Sequence, residues 1–283
     1  MALDLSTVQF WNAPNRAGLP LISGEDLIEA LVQRVVVDMS KRVSVVGQNI
    51  DVDTGTVPED IWVGAEIASV AQNLYVFPGA AQTLSIVSTS VDDDAVPPGT
   101  GLQRIQIQGL GASFEEIVEE IDLDGTTPVI TTSAFLRVNN VFAVLAGSGG
   151  VNAGDIVLSQ TGSGIVIAAM AAGDNRALQA VFTVPASFEN GAVISQSTLS
   201  IGRQAAADIE VSLLARLPGN TAFFPETRVN FNSQGSSALG GLNVTSDIFE
   251  AGTDFVVRCT EVSASNTGIT VDLGFREPDV VIT

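Results

Sequence analysis

The chain has 283 residues and a mass of 29.3 kDa, a length suited to two domains. Its 32 acidic residues against 12 basic ones give a formal charge of -20, which disfavours nucleic acid phosphates and anionic lipid as partners. It has no histidine and a single cysteine. That removes histidine-dependent triads, His-ligated zinc, intramolecular disulfides and Cys-rich metal clusters.

The first 22 residues read as an irregular apolar arm. Phe10-Trp11-Asn12-Ala13-Pro14 and Leu19-Pro20-Leu21 are punctuated by proline. Paired aromatics of this kind either tuck onto the chain's own body or dock on a neighbouring subunit. Ser23 then caps a predicted helix, with Glu25 and Asp26 at its positive end and Leu27, Ile28, Leu31 and Val35 at helical spacing. The β-branched Val35-Val36-Val37 favours a change to strand. No basic start precedes an apolar block, and no apolar stretch reaches the roughly 20 residues of a membrane span. With one cysteine, synthesis in a reducing cytoplasm is the expectation.

From Val43 the period is two. Val43 and Val45 alternate with Ser44, then Ile50 and Val52 alternate with polar residues until Thr54-Gly55 turns the chain. Strands follow at Leu84 to Val87, Leu102 to Gly109, Phe114 to Asp124, Ala134 to Val144, Ile156 to Leu158 and Ile165 to Ile167. Gly173-Asp174-Asn175 marks a boundary. Beyond it, alternation recurs at Leu178 to Val184, Ile209 to Leu217, Val229 to Phe231, Phe255 to Cys259 and Ile269 to Phe275. Short alternating strands with turns between them predict a mainly β fold: two tandem antiparallel β-sandwich domains, jelly-roll or Ig-like, with a short N-terminal arm and helix. The segments are 1–56 (arm, helix, strand, anchoring), 57–172 (first sandwich) and 173–283 (second sandwich).

Candidate chemistry is sparse. Glu115, Glu116, Glu119, Glu120, Asp122 and Asp124 crowd one strand, where alternation makes them a solvated or subunit-facing edge rather than a glycosidase pair. Asp51-Val52-Asp53 and Asp92-Asp93-Asp94 offer oxygens that calcium would accept, but lack EF-hand spacing and read as turns. Gly147-Ser148-Gly149-Gly150 and Gly162-Ser163-Gly164 lack a phosphate-loop lysine and read as hairpin loops. Cys259 lies in an apolar run and reads as a buried small hydrophobe. Serine nucleophiles have no histidine partner and one lysine, Lys41, in the whole chain. No catalytic residue, cofactor or metal ligand is expected.

Four stretches carry a family resemblance. They are Leu102-Gln103-Arg104-Ile105-Gln106-Ile107-Gln108-Gly109-Leu110; Glu119 to Val129, containing Leu123-Asp124-Gly125-Thr126-Thr127-Pro128; Phe135-Leu136-Arg137-Val138-Asn139; and Ala146-Gly147-Ser148 through Asn152-Ala153-Gly154-Asp155-Ile156. Together with Leu178 to Ala186, Ile209 to Leu217 and Ile269 to Phe275, the chain resembles virion structural proteins of tailed bacteriophages over roughly residues 60 to 276. The resemblance implies a non-enzymatic component of the virion, made in the host cytoplasm. The leading expectation is a capsid decoration, or cement, protein. The alternative is a tail, neck or head-fibre component acting as an adaptor or as a receptor- or glycan-binding module. The implied partners are the major capsid protein or other virion proteins, and further copies of the chain. Nucleic acid and membrane are not expected partners. The expected interface anchors are Phe10, Trp11, Pro14, Leu27, Ile28 and Leu31.

Overall fold

A computed structural model describes residues 41–70, 72–202, 206–234, 238–240 and 247–278. The predicted arm and the helix at 23–35 lie outside the described residues. Residues 41–283 cluster as one unit, which holds every described element.

This unit is mainly β. Its strands are β1 (Arg42–Val52), β2 (Glu59–Asp60), β3 (Leu84–Ser88), β4 (Leu102–Leu110), β5 (Glu116–Asp122), β6 (Val129–Ile130), β7 (Arg137–Ala146) and β8 (Ile156–Gln160). They continue with β9 (Val166–Met170), β10 (Val181–Thr183), β11 (Val193–Gly202), β12 (Ala206–Arg216), β13 (Phe224–Gln234), β14 (Ala238–Gly240), β15 (Asp254–Val262) and β16 (Thr267–Arg276). Among the described residues one 3-10 turn spans Val63–Ala65 and no α-helix forms.

Four antiparallel sheets result. Their orders are β1-β16-β11-β14; β10-β15-β12-β13 with β2 also on β15; β6-β3-β8-β9; and β5-β4-β7. The strand at 42–52, placed by the sequence in segment 1–56, lies alongside β16: Val43 is opposite Phe275 and Val45 opposite Leu273. Likewise Glu59–Asp60 of segment 57–172 pairs with Arg258 and Cys259. Gly47 permits this crossing. A Cβ there would overlap the Ala180 backbone nitrogen and the Ile61 carbonyl.

Among the described residues two large apolar cores form, beside a small cluster of Val63, Ile67 and Ala169. One gathers Val45, Leu199, Ile201, Ile269, Val271, Leu273 and Phe275 from the first sheet with Phe182, Ile209, Val211, Leu213, Phe255 and Val257 from the second. Phe182 stacks on Phe275 across it at 4.3 Å between centroids. The other gathers Leu84, Ile86, Ile156 and Leu158 with Leu102, Ile105, Ile107, Val138 and Val141, so it lies between the third and fourth sheets.

The second sheet contributes to both cores. Phe255 and Val257 enter the first core, while Val256 and Val181 enter the second. A strand covered on both faces needs apolar residues in both phases. This is the physical reason for the unbroken run Phe255-Val256-Val257, every member of which is fully buried.

Gly147-Ser148-Gly149-Gly150 corrects the sequence reading. It follows β7, which pairs with β4, and precedes β8, which pairs with β3. It therefore crosses between two sheets and closes no hairpin. Gly162-Ser163-Gly164 does close one, between β8 and β9.

Candidate functional site

The six expected anchors, Phe10, Trp11, Pro14, Leu27, Ile28 and Leu31, lie outside the described residues. The acidic stretches lie within them. Asp94 Oδ1 accepts the Val96 N–H two residues on at 2.7 Å, as a turn-forming acceptor, whereas Asp53 Oδ1 accepts the N–H of the distant Asn266 at 2.8 Å. On β5, Glu116, Val118, Glu120 and Asp122 face solvent while Ile117, Glu119 and Ile121 are half-buried. Arg104 on β4 pairs with Asp122 at 2.6 Å and holds that carboxyl below its usual range. Glu119 accepts the Thr132 and Ser133 N–H groups at 2.7 and 2.8 Å, and its pKa is lowered despite partial burial. Among the described residues no three acidic or thiol side chains gather as ligands of one ion.

Asp93 has a different role from its two neighbours. It is fully buried, and its two oxygens accept hydrogen bonds from both sides. Oδ1 takes the Leu102 and Ala153 N–H groups at 2.7 and 2.8 Å; Oδ2 takes the Ser88 hydroxyl at 2.6 Å and the Gly154 N–H at 2.9 Å. One carboxylate thus fixes two loops, 89–101 and 147–155, at one end of the second core. Those loops present Val96 (81% exposed), Val91 (70%) and Val151 (41%) to solvent.

A second buried carboxylate joins strands from both cores. Asp254, at the start of β15, takes Arg137 through Nε–Oδ1 at 2.7 Å and Nη2–Oδ2 at 3.0 Å. It also takes Arg216 Nη2 at 2.5 Å and the Thr183 hydroxyl at 2.6 Å. Arg137 Nη1 donates to the Pro78 and Leu136 carbonyls. Both guanidiniums lie over the Phe77 ring, at 5.2 and 4.9 Å from its centroid. A third buried carboxylate, Asp60, binds Arg258 at 2.6 Å and accepts the Tyr75 N–H at 2.7 Å. Glu59, also buried, accepts from Asn49 at 2.8 Å and from the Thr56 hydroxyl. Asp254 and Asp60 are matched by arginines, whereas Glu59 receives only neutral donors and burial pushes its carboxyl up.

Near the end of β1, Glu66 accepts the Ile50 N–H. Burial pushes its carboxyl up to about 7, and the negative charges of Asp174, Asp51 and Glu59 act in the same direction.

A groove of about 690 Å³ opens where β12, β13 and the end of β15 meet. Val57, Ile209, Phe231 and Val262 line it together with Asp208, Glu210, Glu261, Asn230, Asn232 and Ser263. Asp208 Oδ1 accepts the Asn232 amide at 2.5 Å, and Glu210 Oε1 accepts the Thr260 hydroxyl at 2.5 Å. Sequence reading missed this groove, because its residues come from four separate stretches. The alternating Asp208, Ile209 and Glu210 were the available signal.

Cys259 is fully buried, as its apolar neighbours implied, and burial pushes its thiol up to about 12.

Comparison with protein-family models and with curated proteins finds no match to this chain.

Proposed function

We propose that this chain is a non-enzymatic structural protein of a tailed-phage virion, and that it works as a capsid decoration protein held between shell subunits. The observation that carries the non-catalytic part is the use of its buried acids. Glu59, Asp60, Asp93 and Asp254 are each occupied by donors from the chain itself. Groups arranged in this way cross-link a scaffold, whereas a catalytic acid or base needs a side open to substrate. The virion part rests on the sequence resemblance across residues 60 to 276.

In this reading the two cores correspond to two tandem sandwiches of jelly-roll or Ig-like type. The pairing of sheets around each core supports it. The aliphatic loop tips Val91, Val96 and Val151, held in place through Asp93, supply contact surface of the kind that shell neighbours cover. Phe10, Trp11, Pro14, Leu27, Ile28 and Leu31 are the proposed anchors, and further copies of the chain and the major capsid protein the proposed partners.

The test is attachment. Particles lacking the chain are incubated with the full-length protein or with a variant lacking residues 1–22. The full chain binds in a saturable manner, and the truncated chain stays folded but unbound. Equal attachment of both removes the anchoring role. No attachment of either removes the decoration role.

A further inference from the structure

We propose that Lys41, Glu277 and Asn190 form a self-crosslinking site, at which the Lys41 amine displaces ammonia from the Asn190 side chain and leaves an isopeptide bond. One carboxylate holds both reactants. Glu277 Oε2 lies 2.6 Å from Lys41 Nζ, while Glu277 Oε1 accepts the Asn190 side-chain amide and its backbone N–H, each at 2.8 Å. The Glu277 side chain is 8% exposed, so water reaches little of the carboxylate. Three separate stretches meet here. Arg42 on β1 and Val193 on β11 both lie opposite Arg276 on β16, and the trio sits just beyond that row. The Glu277 N–H donates to the Lys41 carbonyl at 3.2 Å. An ion pair alone has no use for the amide, and Lys41 is the only lysine of the chain.

The chemistry balances within the trio. Glu277 takes one proton from the Lys41 ammonium, and the freed Nζ attacks Asn190 Cγ. The carboxyl relays that proton to Nδ2 as the Cγ–Nδ2 bond breaks. The surplus proton on the newly bonded Nζ joins the ammonia, so ammonium leaves and Glu277 ends as it began. The rival nucleophile at an Asn-Gly pair is the glycine nitrogen. Here the Gly191 N–H donates to the Phe188 carbonyl at 2.9 Å, which holds that nitrogen back. Glu277 and Glu189 face the amine, and the hydrogen bond to Glu277 raises its pKa most. Burial would raise the Glu277 carboxyl, but hydrogen bonds from Lys41 and Asn190 hold it below its usual range. Arg42 and Arg276 form the next row of the ladder. The ion pair therefore dominates near neutral pH, and the reaction is slow there and faster in base. The bond fastens the start of β1 to the segment leading into β11, so tension entering from residues 1–40 bypasses the β1–β16 ladder. It does not depend on the virion reading.

The folded full chain is incubated at about pH 9, where more of the amine is neutral, then denatured and cut with a lysine-specific protease. Unlinked chain gives fragments 1–41 and 42–283, whereas linked chain stays whole because its single lysine is acylated. The uncut chain should weigh one ammonia less, and digestion at acidic residues should release a branched peptide joining Lys41 to Asn190. Formation should quicken about tenfold per pH unit below the amine pKa. Lys41→Arg and Asn190→Ala should give no branched peptide, and Glu277→Gln should form it about 100-fold more slowly, with circular dichroism checking each fold. Complete cleavage of the incubated parent would overturn the proposal. So would ammonia loss without a branched peptide, which marks cyclised Asn190-Gly191 alone, or equal crosslinking in Glu277→Gln.

Discussion

Arg137 and Asp254 stand 117 residues apart in sequence and meet through two parallel hydrogen bonds of 2.7 and 3.0 Å. Arg137 opens β7, whose residues line the second core, and Asp254 opens β15, whose Phe255 and Val257 line the first. The pair ties the two cores together at a point where neither side chain reaches water freely. Asp254→Asn keeps the shape and removes the charge, leaving Arg137 and Arg216 without their counterion. Loss of one partner from a buried pair costs about 3–5 kcal/mol, so urea unfolding of this variant should show a shift of that order. A change near that of an ordinary surface substitution would mean the clamp is not under load.

Val256 predicts cooperativity. It projects into the second core from a strand whose neighbours Phe255 and Val257 project into the first. Calorimetry of the full chain should show a single dominant transition for residues 41–283. Val256→Ala should cost about 2 kcal/mol and raise hydrogen exchange in β3, β4 and β8, although it lies on β15. Two well-separated transitions would show that the shared sheet does not couple the cores.

Asp93→Ala removes one acceptor from four donors. Leaving several buried donors unsatisfied costs about 1–3 kcal/mol each before relaxation, so the variant should be among the most destabilising single changes in the chain. Hydrogen exchange checks the assignment directly: the Leu102, Ala153 and Gly154 amides should lose protection while β12 and β16 keep theirs.

Glu66 predicts the pH dependence. Its folded pKa, pushed up to about 7 chiefly by burial, lies above the ordinary carboxylate value. The folded state therefore binds the proton more tightly than the unfolded state, and this group's contribution to stability falls as pH rises from about 5 through about 7. Asp174, Asp51 and Glu59 add like charge and steepen the loss. Unfolding free energies measured between about pH 5 and about pH 8 should show this decline in the parent chain and a shallower one in Glu66→Gln. An unchanged slope would place the titration elsewhere.

Cys259 should resist thiol reagents in the folded state. It is fully buried, and its thiol is pushed up to about 12, so near neutral pH almost no thiolate forms. Labelling by iodoacetamide should be negligible in buffer and complete in denaturant. Rapid labelling of folded protein would contradict the burial of β15.

Alternation made the strands legible. Leu102 to Gly109, Phe114 to Asp124, Ile209 to Leu217 and Ile269 to Phe275 all coincide with observed strands within a few residues. β11 escaped for a physical reason. Its register shifts between Ile194 and Gln196, so Ile194 falls out of phase with Leu199 and Ile201, and the period of two breaks inside one strand. Pairing partners were equally hidden. Periodicity tells which face a residue occupies but not which strand lies beside it, so nothing local announced that β1 lies beside β16. The same limit concealed the functional features. Asp93 looked like either neighbour in Asp92-Asp93-Asp94 until burial separated it, and the groove exists only once β12, β13 and β15 are side by side.

Imaging intact particles assembled from the genome that encodes this chain is the most direct test of the decoration role. The expected result is density for both β cores at repeated, symmetry-related positions on the outer shell, with the N-terminal segment buried against neighbouring subunits. Particles with no density for the chain would contradict that role, as would a purified protein that stays monomeric, ignores shells and turns over a substrate.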